Sequence, residues 1–163
     1  MRNEKDQITD NIWLGDIIAA NDIPSLKALN INKVLSVTDN RIPHYKKEDN
    51  INHRIIKVAD LSTSNIIKHF GECLRFMKGE GNILVHCIAG SSRSASVVIA
   101  YIMWDKKLSY QEAFNFLSQK RPSVLPNEGF IKQLKIFEKL LKDNEYDIDQ
   151  INFYSIKINE LIE

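Results

Sequence analysis

No stretch constrains this chain more than His86-Cys87-Ile88-Ala89-Gly90-Ser91-Ser92-Arg93-Ser94. A short apolar run, residues 83–85, leads into it, and a longer one, residues 95–103, leads out. Apolar runs of those lengths around a glycine and small polar residues read as a buried strand, a tight loop and a buried helix. Backbone N–H groups at a helix N-terminus, together with the positive end of the helix dipole, form an anion-binding site. The same field favours a thiolate over a thiol. Arg93 adds a planar fork that fits two oxygens of a phosphate. The arrangement sets the Cys87 sulfur against a bound phosphate as a nucleophile, which is the layout of an enzyme. A structural cysteine beside a salt-bridging arginine is the plainer reading, and the agreement of motif with context weighs against it.

A chain of 163 residues is long enough for one domain with a sizeable core. A formal net charge of +1 provides no global field to attract nucleic acid or an anionic membrane. No apolar run approaches the ~20 residues that span a bilayer. The first residues lack the apolar stretch of a signal peptide, Arg2 stands where N-myristoylation needs glycine, and the last five carry no prenylation cysteine. Two cysteines without a secretory signal lead us to expect a reducing compartment, the cytoplasm with the nucleus not excluded.

Taken in order, residues 8–15 read as short strand material ending at Gly15. Residues 17–30 read as helical around Pro24, which a first turn tolerates. Residues 34–37 form a short buried strand ending in the turn cluster Thr38-Asp39-Asn40, and residues 41–52 a polar surface loop. Residues 53–58 form the next strand, with a loop over 59–65. Ile67, Phe70, Leu74 and Met77 recur at helical spacing, and Ser109 with Glu112 makes a capping box for another helix. Arg121-Pro122 ends that helix, and Asn127 opens a last strong one along Phe130, Leu134, Phe137 and Leu141. Strands alternating with helices predict an α/β fold: a central, largely parallel (mixed) sheet flanked by helices.

H-C-x-x-G-x-x-R-S resembles the signature loop of the cysteine-based protein tyrosine phosphatase superfamily. The spelling HCIAGSSRSASVVIAYIM resembles its small dual-specificity branch. Trp13-Leu14-Gly15 near the start, and Arg121-Pro122-Ser123-Val124-Leu125-Pro126-Asn127-Glu128-Gly129-Phe130 near the end, resemble that branch too. The likeness covers about residues 7–142. It implies the protein tyrosine phosphatase-like fold, with a catalytic domain over 1–142 and an extension over 143–163.

The resemblance also implies roles. Cys87 is the nucleophile, and Ile88, Ala89, Gly90, Ser91, Ser92 and Arg93 bind the phosphate. The family's proton donor is a loop aspartate upstream of the cysteine and just after a strand, which fits Asp60; Asp39 also follows a strand but matches no family acid. His86 corresponds to a histidine that fixes the loop through backbone hydrogen bonds. Ser94 corresponds to a hydroxyl that stabilises the departing thiolate, or is simply a helix N-terminal serine. Asn127 either buttresses the loop or only caps its helix. No metal or other cofactor is implied, and the chain offers no H-E-x-x-H or paired Cys/His spacing.

The loop interior has no lysine to meet extra phosphates, so a phosphorylated protein is favoured over a phosphoinositide. Cys87 comes too early for the longer domains whose deep pocket admits only phosphotyrosine, so a shallow pocket for phosphotyrosine, phosphoserine and phosphothreonine is expected. The chain shows no N-terminal docking domain, as in atypical members. An RNA 5′-triphosphatase, a phosphoinositide phosphatase, a rhodanese-like sulfur transferase and a catalytically silent phosphoprotein-binding module remain alternatives. Cys73 sits at helical spacing from Phe70 and Met77, so it reads as a core thiol, with resolution of oxidised Cys87 the alternative. In the tail, Ile151, Tyr154, Ile158 and Leu161 keep helical spacing while Ile156 and Ile158 alternate as in a strand. Packing on the domain, self-association and partner binding all stay open for it.

Overall fold

The computed structural model describes residues 3–158. The terminal positions bearing on lipid anchors, Arg2 and residues 159–163, and with them Leu161, lie outside the described residues. The strands are β1 (Lys5–Gln7), β2 (Ile12–Gly15), β3 (Ile31–Val37), β4 (Asn52–Ile56) and β5 (Asn82–His86). The helices are α1 (Ile17–Asn21), α2 (Ile23–Ala28), α3 (Ile67–Met77), α4 (Arg93–Lys106), α5 (Tyr110–Lys120), α6 (Glu128–Asp143) and α7 (Ile148–Lys157). One mixed sheet has the order β1-β2-β5-β3-β4. β1 runs antiparallel to β2, and the other pairs are parallel.

Alternation along β5 shows how the layers form. Ile83 and Val85 face the large core shared with α3, α4, α5, α6 and α7, whereas Leu84 faces a smaller one with Trp13, Ala19, Ala20 and Leu26. The sheet is therefore covered on both sides, as parallel strands require. α4 is buried from Arg93 through Met103, so it forms the central helix of the larger layer. The parallel strands end together at Gly15, Val37, Ile56 and His86, and chemistry in such sheets sits beyond those carboxyl ends.

Several boundaries differ from the sequence expectation. β1 is polar, Lys5-Asp6-Gln7, and owes its place to antiparallel pairing with β2 rather than to a hydrophobic pattern. The helix expected over 17–30 is broken in two at Asp22, whose carboxylate caps α2 at Ser25 N. β4 starts at Asn52 and stops at Ile56 instead of running from 53 to 58. A single 3-10 turn, Lys47–Asp49, interrupts the polar loop before it.

The tail is a helix docked on the domain. Asp147 caps α7, and Ile151, Ser155 and Ile158 are buried while Phe153, Tyr154 and Ile156 are exposed. Gly71 of α3 permits the close crossing, because a Cβ there would lie 2.6 Å from Asn152 Cα. Among the described residues no helix is long and apolar enough to cross a membrane. Ile151→Ala should lower the unfolding free energy by ~2–4 kcal/mol, as expected for truncating a fully buried aliphatic side chain. Urea titration would show this, and an unchanged midpoint would mean that α7 contributes nothing to the fold.

Candidate active site

The loop between β5 and α4 takes its shape from where its carbonyls go. Cys87 C=O accepts from His86 Nδ1 at 3.0 Å, and Ile88 C=O from Ile17 N–H at 3.1 Å. Ala89 and Gly90 C=O accept from Arg121 Nη2 and Nε at 3.3 and 2.9 Å, and Ser91 C=O from Leu125 N–H at 2.7 Å. A trans peptide points its N–H opposite its C=O, so five outward carbonyls turn the following amides inward. Among the described residues, the amides of Ile88, Ala89, Ser91 and Ser92 carry no hydrogen bond within the protein, while Gly90 N–H reaches Cys87 Sγ at 3.3 Å. Inward amides at a helix N-terminus form an anion nest. Gly90 takes φ +69°, and a Cβ on it would lie 2.5 Å from Gly15 O, so only glycine fits there.

Cys87 is buried at the centre of this ring, with Ser94 Oγ 3.0 Å from its sulfur. Arg93 uses Nη1 to donate to Asp39 Oδ1 at 2.9 Å and to Val58 O at 3.1 Å. Its Nε is buried without a partner among the described residues. Nη1 is thus spent on anchoring, and Nε and Nη2 form the edge left for two oxygens of an oxyanion. Asp60 lies on the exposed loop after β4, where its Oδ1 accepts from Ser92 Oγ at 2.7 Å and from Asn127 Nδ2 at 2.9 Å. With Oδ1 doubly occupied, Oδ2 is the oxygen available to carry a proton. Asn127 caps its helix, Oδ1 accepting from Phe130 N–H at 2.9 Å, and its Nδ2 donates to Asp60 rather than to the loop.

The state of His86 follows from donor arithmetic. A carbonyl only accepts, so the Nδ1 facing Cys87 O carries the proton. Burial pushes the pKa of His86 down to about 4, so the ring is neutral and its Nε2 accepts from Ser36 Oγ at 2.6 Å. The one hydroxyl proton of Ser36 is then used, and Ser36 Oγ must accept from His53 Nε2 at 2.7 Å. The chain His53 to Ser36 to His86 to the Cys87 carbonyl runs in one direction.

Residues 12–140 match the family described as dual specificity phosphatase, catalytic domain. The chain belongs to the dual specificity phosphatase family. It is similar to dual specificity protein phosphatase 1B of Arabidopsis thaliana, 34% identical over 142 residues that make up 85% of this chain and 84% of that one. It is also similar to dual specificity protein phosphatase MPK-4 of Drosophila melanogaster, 33% identical over 140 residues, and there the match spans 83% of this chain but 36% of the fly protein. A crystal structure of human tyrosine phosphatase-like serine/threonine/tyrosine-interacting protein superposes with a TM-score of 0.82 at 30% identity, covering 86% of this chain and 99% of that one.

In this member of the dual specificity phosphatase family the structure brings Cys87, Arg93, Ser94, His86, Asp60 and Asn127 to one place, together with the loop 88–93. Asp39 joins them as the partner of Arg93 rather than as a second acid. Ser36, His53 and Arg121 were not legible as site residues, since each is recruited by a residue distant in sequence. In the sequence Arg121 marks a helix end and opens the segment that resembles the family, with no site role attached, yet it is fully buried and also binds Asn3 O and Asp6 Oδ2. Cys73 is buried in the core, where desolvation raises its thiol pKa well above the ordinary value, so it is a poor partner for thiol exchange. Among the described residues no group of three His, Cys, Asp or Glu side chains is arranged to hold a metal ion.

Two expectations follow. The folded-state pKa of His86 lies below its ordinary value of 6.5, so between there and about 4 the unfolded chain binds the extra proton. Stability must fall as pH drops through that window, by about 3 kcal/mol in full. NMR titration should show the His86 ring still neutral, with its proton on Nδ1, at pH 5; a midpoint near 6.5 would contradict the burial argument. Asp39→Ala releases the anchored edge of Arg93, and should raise KM for a phosphate ester ~10-fold while kcat changes by less than ~3-fold. An unaltered KM would show that Asp39 does not orient the guanidinium.

Proposed function

We propose that the protein is a dual-specificity protein phosphatase that hydrolyses phosphotyrosine and phosphoserine/phosphothreonine in protein substrates through a phosphocysteine. The observation that carries this reading is the Cys87 sulfur inside a ring of inward amides, with the free edge of Arg93 and Asp60 Oδ2 beside it. In the first step Cys87 Sγ bonds to phosphorus, the P–O ester bond breaks, and Asp60 gives its proton to the leaving oxygen. In the second, Asp60 takes a proton from water, the water oxygen bonds to phosphorus, and the S–P bond breaks with the Ser94 hydroxyl donating to the departing sulfur. The amides and Arg93 hold the equatorial oxygens, where positioning and electrostatics do most of the work.

A protein substrate, with phosphoserine and phosphothreonine among its groups, is supported by the names of the relatives and by a loop interior without lysine. We take residues 1–142 as the catalytic unit and 143–163 as an extension. The two free thiols favour a reducing compartment, the cytoplasm. The likeness to a human phosphatase-like interacting protein keeps a phosphoprotein-binding module as a second reading.

Hydrolysis of an aryl phosphate, and of a peptide phosphorylated on Thr and Tyr, separates the two. In chelator, wild type should turn over, Cys87→Ser should not, and Asp60→Asn should lose ~10²-fold or more in kcat on the peptide. Wild type that binds the peptide without releasing phosphate would replace catalysis with the binding module.

A further inference from the structure

Along the outer flank of the sheet, between β4, α3 and α7 and lined by none of the residues around Cys87, lies a cleft of about 790 Å³. β3, β4, α3 and α7 line it, and its charged side chains are Lys33, Arg54, Lys68, Arg75 and Glu72. Cations therefore outnumber acids in a protein of formal net charge +1. Lys33 is 9% exposed and has no carboxylate within ion-pair distance among the described residues. Its ammonium donates to Phe76 O at 3.1 Å and lies over the Phe76 ring. Burial pushes its pKa down, the sign of a cation short of counter-charge. Lys68 is likewise unpaired among the described residues. Arg54 pairs with Glu72 and Arg75 with Asp149, both on the surface, where such pairs are weak and exchange readily with another carboxylate.

The backbone beside the cleft is equally unfilled. Among the described residues β4 is the edge of the sheet, paired with β3 alone. Among the described residues the backbone groups of residues 52–56 bond to nothing beyond β3 and Thr38, which directly follows it, so the outward-facing ones have no partner segment. An edge strand is a template for an added strand. Asn52 and Arg54 lie on that strand and also line the cleft, so one ligand can use both features.

We propose that this cleft and the β4 edge together dock an extended, acidic segment of a protein partner, pairing along β4 and sending alternate carboxylates to Lys33, Arg54, Lys68 and Arg75. A nucleic acid fits less well. Of the two aromatic rings that line the cleft, Phe76 is already covered by Lys33 and Arg54, which leaves the His69 imidazole alone and no platform for successive bases. The proposal concerns binding alone and stands apart from the hydrolytic reading.

The test uses the full chain and a fluorescein-labelled ten-residue peptide of alternating Val and Glu, which contains no phosphate. Fluorescence anisotropy should show saturable binding that weakens ~10-fold or more in Lys68→Glu and in Arg54→Gln, and less than ~2-fold in Lys106→Glu on α4. Lys33→Met, which keeps the stem without the charge, should weaken binding in the same way. Backbone amides of residues 52–56 should exchange more slowly with peptide bound. Aryl phosphate hydrolysis by Lys68→Glu should equal that of wild type, so loss of docking and loss of catalysis read separately. No saturable binding, equal binding of a control peptide of alternating Val and Lys, equal weakening by Lys106→Glu, unchanged exchange in β4, or tighter binding of a uridine dodecamer would each overturn the proposal.

Discussion

Everything at the candidate site depends on five peptide carbonyls being pulled away from it. The partners that pull them come from four separate places: the His86 ring, the start of α1, Arg121 after α5, and Leu125 before α6. Arg121 takes the largest share, since its buried guanidinium also binds Asn3 O and Asp6 Oδ2 at the start of the chain. A buried cation is tolerated only where its donors are satisfied, and here the loop carbonyls satisfy them. Stability and function thus rest on the same bonds: the arginine needs the carbonyls as acceptors, and the loop needs the arginine to keep its amides facing inward.

The parts of the site that could be read from the sequence are those whose chemistry is local. Cys87, Arg93 and Ser94 lie within one loop and the first turn of α4, so spacing alone places them together. Asp60 could be placed through the family resemblance, since Asp39 also follows a strand and position alone does not separate the two. Ser36 and His53 could not, for a physical reason. Ser36 faces His86 only because β3 and β5 pair in that register, and His53 joins them only because β4 pairs next to β3. A shift of one residue would turn Ser36 to the other face and leave His86 Nε2 without its partner. Register is a property of the assembled sheet, and no window of sequence contains it.

The same distinction explains the fold. α3, α5 and α6 were legible because each pays for its own amphipathic stripe or cap with residues a turn apart. β1 was not, because Lys5-Asp6-Gln7 has no apolar pattern and is held by β2 and Arg121. The tail allowed a helical and a strand reading on sequence. Burial of Ile151 and Ile158 with exposure of Ile156 resolves it as a helix, since a strand would put 156 and 158 on one face.

Two aspartates show how environment divides labour between identical side chains. Both follow a parallel strand, Asp39 after β3 and Asp60 after β4, and both reach the loop. Asp39 meets a guanidinium, so its charge is committed to orienting Arg93. Asp60 meets neutral donors, a hydroxyl and an amide, which fix one oxygen without neutralising the group and leave the other free. Without Asp39 the anchored edge of Arg93 would keep only Val58 O, and without Ser92 and Asn127 the Asp60 carboxylate would lose the two donors that fix its direction. The neighbour each aspartate meets, more than its place in the chain, decides whether it fixes a cation or is itself held with one oxygen free.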